Sequence, residues 1–136
     1  MLYPFEREQH RIDRITYEVT SKQKLRSTIC LLTTHRLIFY MGMDGIAIPL
    51  EYIREYKKGG GMFHSPNITV FLNEVDENPK WLVQYHKEVM KQVTDPVVPI
   101  YPKQFVMKFK DKVRDSFLKH LDETLDAKYW KTVAVS

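Results

Sequence analysis

Cysteine is all but missing from this chain. Cys30 stands alone among 136 residues, so no internal disulfide can form, and such usage fits a reducing compartment. Long apolar runs are missing too. No stretch reaches the roughly 20 residues that a bilayer-spanning helix needs, and the N-terminus MLYPFEREQH carries charge where a signal peptide places its apolar core. An intracellular location is therefore expected. The signatures of catalysis and metal binding are absent as well: there is no H-E-x-x-H, C-x-x-C or G-x-S-x-G order, and the five histidines, His10, His35, His64, His86 and His120, are scattered. The expectation is a non-enzyme without cofactor or metal. Disorder as the main state is excluded by 43% hydrophobic against 28% charged residues, and the length suits one domain. The net charge of +4 favours anionic lipid or an acidic protein surface as partner and falls short of a nucleic-acid binder, so no nucleic acid is expected.

What the chain does carry is strand pattern. In Leu25 to Tyr40, LRSTICLLTTHRLIFY, two apolar runs, Ile29 to Leu32 and Leu37 to Tyr40, flank Thr33, Thr34, His35 and Arg36, which predicts a hairpin. His35 and Arg36 read either as a catalytic or metal pair or as turn polarity. The second reading is favoured, because no carboxylate, cysteine or second histidine lies at ligand spacing nearby. Cys30, inside a predicted strand, reads as a small core residue. Ahead of the hairpin, Ile15, Tyr17 and Val19 alternate with polar residues and predict a strand over 11–20, whereas the first ten residues show no period. Behind it, Gly42 to Gly45, with its Asp-Gly dipeptide, predicts a reversal, Ile46 to Leu50 a strand that Pro49 ends or places at an edge, and Tyr52 to Lys57 another strand.

The segment KKGGGMFHSP, Lys57 to Pro66, supports two readings. Its freed backbone N–H groups, with Lys57, Lys58 and His64, suit a phosphate or headgroup, or it is simply a flexible hairpin loop. The lysines precede the glycines, so the order is not that of a P-loop and nucleotide hydrolysis is unsupported. Met62 and Phe63 are expected to be exposed there, as at an interaction surface or a membrane-inserting tip. Asn67 to Asn73 alternates with Ile68, Val70 and Leu72 on one face; Phe71, on the other, is a second contact layer or part of an exposed patch. A proline-containing stretch over about 74–102 reads as an insertion within a single domain spanning 1–136. It holds a predicted helix from Pro79 to Gln92 and an extended run from Thr94 to Pro102. Gln104 to Lys110 resumes the strand pattern with Phe105, Met107 and Phe109 inward. Asp111 is predicted to cap a helix to about Trp130, with Phe117, Leu118, Leu121, Leu125 and Tyr129 as its apolar stripe and Asp115, Lys119, Asp122, Glu123 and Asp126 as its wet face. The fold class that follows is α+β: a bent β-sandwich of about seven strands, closed by a C-terminal amphipathic helix, with a short helix in the insertion. That is the order of a pleckstrin-homology domain, and it also suits other α+β folds.

With these elements placed, LLTTHRLIFY, IAIPLEYI, HSPNITVFL, FVMKFKD and the helix ending at Trp130 follow one another in an order that resembles the GLUE domain, the split pleckstrin-homology module of ESCRT-II. The resemblance covers Ile15 to Trp130. Leu32, Thr34, His35, Arg36, Leu37 and Ile38 match the hairpin pattern of that family. It implies a non-catalytic adaptor that binds ubiquitin and links ubiquitinated cargo to membrane sorting, or alternatively a phosphoinositide-binding recruitment module. For lipid the residues implied are Lys57, Lys58 and His64 with Lys110 and Lys112 at the strand-to-helix join; for ubiquitin, whose partner needs an exposed apolar surface with acidic or polar edges, the candidates are Met62, Phe63, Phe71, Asp122 and Asp126. Other ESCRT subunits are expected to bind through regions outside this chain, and the expected location is cytoplasmic, peripheral at endosomal membranes.

Overall fold

The computed structural model describes Leu2 and residues 6–20, 22–61, 64–74, 79–83, 97–110 and 113–126. Eight strands form one strongly bent sheet: β1 Glu8–Thr20, β2 Gln23–Thr33, β3 Arg36–Met41, β4 Asp44–Pro49, β5 Ile53–Gly61, β6 His64–Leu72, β7 Val97–Pro99 and β8 Gln104–Lys108. Their order across the sheet is β5-β6-β8-β1-β2-β3-β4-β7, antiparallel except where β7 runs parallel to β4. One helix, α1 Arg114–Leu125, packs over β1 and β6. The strand count among the described residues is thus eight where the sequence pattern predicts about seven. The addition is β7, contributed by the segment read as an insertion.

The core forms where alternating apolar residues meet the stripe of α1. Ile15, Tyr17, Leu37, Phe39, Ile48, Ile68, Val70, Phe105 and Met107 turn inward, and Phe117, Leu121 and Leu125 close the core from the helix side. Phe109 stacks 5.5 Å from Phe117, and Tyr17 lies about as close to both Phe39 and Phe105. Cys30 is fully buried in this core, and burial pushes its thiol well above the ordinary range. A second cluster, Leu31, Ile38, Ala47 and Val97, lies on the back of β2, β3, β4 and β7 with Leu2 packed against it. Apolar cover on both faces explains why LIF and IAI read as continuous runs.

Strand β1 changes phase midway. Ile12 pairs with Cys30, and Ile15 pairs with Ser27; all four are buried, although three residues separate them along each strand. Strict alternation would turn one pair outward. Arg14, with φ of 53°, takes up the change in the left-handed region that non-glycine residues rarely visit.

Several local expectations are corrected. Residues 8–10, where the sequence shows no period, belong to a strand: β1 begins at Glu8, and Glu6 just before it is buried. Arg36 flanks the turn as the first residue of β3, but it is buried rather than simply turn polarity. It is only 2% exposed, its Nε lies 2.8 Å from Glu6 Oε2 and its Nη2 3.0 Å from Glu6 Oε1, so the carboxylate it needed sits 30 residues away rather than nearby in sequence. Thr33 Oγ1 donates to the same carboxylate and accepts from the backbone N–H groups of His35 and Arg36. The β3–β4 reversal falls within the predicted Gly42 to Gly45 but on Gly42 and Met43, with the Asp44-Gly45 dipeptide already in the strand; Gly42, at φ 67°, supplies the positive φ that such a two-residue turn needs first. Lys57, Lys58 and the glycines after them belong to β5 rather than to a loop, because the ladder with β6 continues through Gly59 to Gly61. There a Cβ on Gly60 would lie 2.6 Å from the Ser65 carbonyl oxygen, which explains glycine within a strand. Of the helix predicted from Pro79 to Gln92, residues 80–83 are helical and the remainder lies outside the described residues. Trp81 docks this turn by donating to Glu51 and setting its ring edge-on to His35. Helix α1 opens at Arg114 with no side-chain cap; Asp111, Tyr129 and Trp130 lie outside the described residues.

Candidate binding surfaces

Because β5 is an edge strand, its alternation divides the candidate residues between two faces. Tyr56 pairs with Val70 and Lys58 with Ile68, which places them on the side of the core and α1. Glu55 pairs with Phe71 and Lys57 with Thr69, on the outer side. There Phe71 is half-buried beneath two cations, Lys57 Nζ at 5.5 Å and the Arg54 guanidinium at 5.9 Å from the ring centre. Phe71 and Lys57, expected to serve different ligands, thus form one small patch.

On the helix side, Asp122 of α1 and Asp126, its C-cap residue, stand one turn apart and line a shallow cleft of about 390 Å³ with Glu123 and Tyr56. The Tyr56 hydroxyl donates to Asp122 Oδ1. Burial, then this hydrogen bond and the charges of Asp122 and Asp126, push the Tyr56 phenol well above its ordinary value. The three carboxylates are exposed, and no cation among the described residues is paired with them. The cleft is therefore a concentrated negative surface with an aromatic wall.

Lys110 belongs to a different place. It lines a cleft of about 520 Å³ with His10, Arg11, Asp13 and Arg14 of β1 and with Val113 and Ser116 at the start of α1. Arg11 is held by Glu8 at 2.8 Å. The His10 ring stacks on His120 at 4.1 Å; burial first and then His120 lower its pKa, against a smaller pull from Glu8. Arg14 reaches this cleft at the strained position where β1 changes phase. Lys57 and Lys58 lie on β5 and do not line the cleft. His64 contributes its backbone to β6, while Met62, Phe63 and Lys112 lie outside the described residues. His10, Arg11 and Arg14 are not among the residues singled out from sequence. The signal that could have found them is the slip of apolar phase between Ile12 and Ile15.

Among the described residues no three His, Cys, Asp or Glu side chains cluster at metal-binding distance, and no helix is long and apolar enough to cross a membrane.

No protein-family profile matches the chain, and none of the curated proteins matches it by sequence. Among solved structures it is similar to one described as the Vps36 N-terminal PH domain, with a TM-score of 0.62 and 13% identity over 93% of this chain and 84% of that one. At such identity the likeness speaks for architecture alone. With its bent sheet and closing C-terminal helix, the chain has a pleckstrin-homology-like fold.

Proposed function

We propose that this chain is a non-catalytic adaptor domain that binds ubiquitin at the cleft of Tyr56, Asp122, Glu123 and Asp126, within an ESCRT-II-type complex that links ubiquitinated cargo to membrane sorting. The observation that carries the reading is this cleft: three carboxylates and an aromatic wall complement a shallow apolar patch rimmed by basic residues, the kind of surface ubiquitin presents. The similarity to the Vps36 N-terminal PH domain adds support. Such small, exposed surfaces bind weakly, because little area is desolvated. Titrating isotope-labelled ubiquitin is expected to give fast-exchange chemical-shift changes over high micromolar concentrations, abolished by Asp122→Lys with Asp126→Lys. Absence of any shift up to millimolar concentration would overturn it.

The basic cleft favours a second reading, headgroup recognition. Arg14 and Lys110 converge there, and cations around one pocket supply charge-assisted bonds to a phosphorylated inositol. In liposome flotation this reading requires more recovery with phosphoinositide-containing than with neutral vesicles, and loss of the difference on Arg14→Gln with Lys110→Gln. Equal recovery rejects it and leaves the ubiquitin reading untouched.

A further inference from the structure

A third cavity lies in neither surface. The β1–β2 turn, the β3–β4 turn and the connector between β7 and β8 meet at one end of the bent sheet, and between them opens a space of about 750 Å³. That size falls within the range of small-molecule sites, and the walls are overwhelmingly apolar, as such sites require. Val19, Leu25, Ile46 and Ile100 each pack on the main core with one side and line the cavity with the other, so the space continues the core outward. Tyr17 is almost fully buried at its inner end. The Tyr17 hydroxyl has no hydrogen-bond partner among the described residues, and burial pushes its phenol up to about 12.

The rim has a different character. Lys24 and Lys103 stand on it. Lys24 lies 3.9 Å from Glu18, a loose pairing, and Lys103 has no ion pair among the described residues. Asp44, cross-strand from Met41, is the acid at the adjoining turn. That turn also exposes Met43 at 87%, and Met41 beside it is exposed as well. An apolar chamber with a hydroxyl inside and lysines at its mouth matches a ligand that is apolar along its length and anionic at one end. We infer that this cavity binds an aliphatic chain with an anionic terminus, offered either as a free long-chain carboxylate or as an acyl chain of an anionic lipid. The inference does not rest on the ubiquitin reading, because the cavity shares no residue with the acidic cleft.

The test uses the full chain with methyl-labelled isoleucine and methionine. Sodium dodecanoate below its micellar range is expected to shift the methyl signals of Met41, Ile46 and Ile100. Affinity should rise about fourfold per added methylene from octanoate to dodecanoate, as transfer of each group from water predicts. Lys103→Glu should weaken dodecanoate binding several-fold while leaving the thermal midpoint unchanged. Ile100→Trp, which fills the cavity, should abolish it in a protein whose remaining spectrum stays folded. The source is separated by a second arm. Methyl shifts with dodecanoate assign a free carboxylate. Flotation with phosphatidylglycerol but not phosphatidylcholine vesicles, lost in Ile100→Trp, assigns a lipid surface. The inference is overturned if neither ligand acts, if the shifts map elsewhere, or if dodecyltrimethylammonium binds as well as dodecanoate.

Discussion

The Glu6–Arg36 pair makes the sharpest demand on this structure. Both side chains are withdrawn from solvent and joined by two hydrogen bonds, and Thr33 occupies a further site on the carboxylate. Burying the two charges is costly, and their attraction offsets that cost only while both are present. Arg36→Ala takes the countercharge from the buried carboxylate, and Glu6→Ala takes it from the buried guanidinium. Each change is expected to destabilise the domain by about 3–5 kcal/mol, which for a chain of this size lowers the midpoint by roughly 10–20 °C. The double replacement Glu6→Leu with Arg36→Met removes both charges and keeps apolar volume, so it should recover most of the loss and need not be less stable than the parent. Urea unfolding of the four proteins closes the double-mutant cycle and gives the coupling energy directly. Single losses below about 1 kcal/mol, the scale of exposed pairs, would mean that the pair does not behave as a buried one. So would a double variant no more stable than the singles. Because Arg7 N donates to Thr34 Oγ1 and Thr34 N to Arg7 O, the same clamp ties the N-terminal segment to the β2–β3 turn. Deleting residues 1–7 should therefore cost at least as much as Glu6→Ala.

Two glycines separate backbone strain from steric strain. At Gly42 an added Cβ meets nothing within 4 Å, so Gly42→Ala should cost only the left-handed penalty, about 1–2 kcal/mol; Gly60→Ala adds a 2.6 Å approach to the Ser65 oxygen and should cost clearly more in the same urea assay, equal losses counting against the geometry. His10 predicts a pH dependence. Its folded pKa lies below the ordinary 6.5, so the unfolded chain takes up the proton first, and stability present above about pH 6.5 should fall as pH drops through the folded value. Unfolding curves at pH 7.5 and 5.5 test this: His10→Gln should reduce the difference, and an unchanged difference would assign the effect elsewhere.

Local pattern carried those parts of the fold that depend on local pattern. The β2–β3 hairpin is legible because its two apolar runs abut in sequence. The stripe of α1 is legible because Phe117, Leu121 and Leu125 repeat at helical spacing and bury as that spacing demands. Features that depend on a distant partner were not legible. Arg36 reads as turn polarity until Glu6 is brought to it across 30 residues. The glycines of β5 read as a loop because the carbonyl at Ser65 that requires Gly60 belongs to the opposite strand. Strand β7 has three residues and one proline, and it exists because its ladder with β4 is nonlocal and parallel. The same limit applied to the surfaces. Asp122 and Asp126 are visible as one helix face, but Tyr56, which completes their cleft, lies 66 residues from Asp122.

The two surfaces occupy opposite ends of α1. Residues 113–116 border the basic cleft and residues 122–126 the acidic one, a separation of about 14 Å along a helix rising 1.5 Å per residue. That exceeds the Debye length of about 8 Å at physiological ionic strength, so charges at one cleft are largely screened from a ligand at the other. An anionic headgroup near Arg14 and a basic-rimmed protein at Asp122 therefore need not compete. Reversing Asp122 and Asp126 should abolish ubiquitin shifts while leaving phosphoinositide flotation unchanged at physiological salt, and should begin to affect flotation only at low ionic strength, where the Debye length grows past the separation of the clefts and screening fails. A loss of flotation at physiological salt would mean that the two clefts are coupled through the packing of α1 on β1 rather than being independent sites on one scaffold.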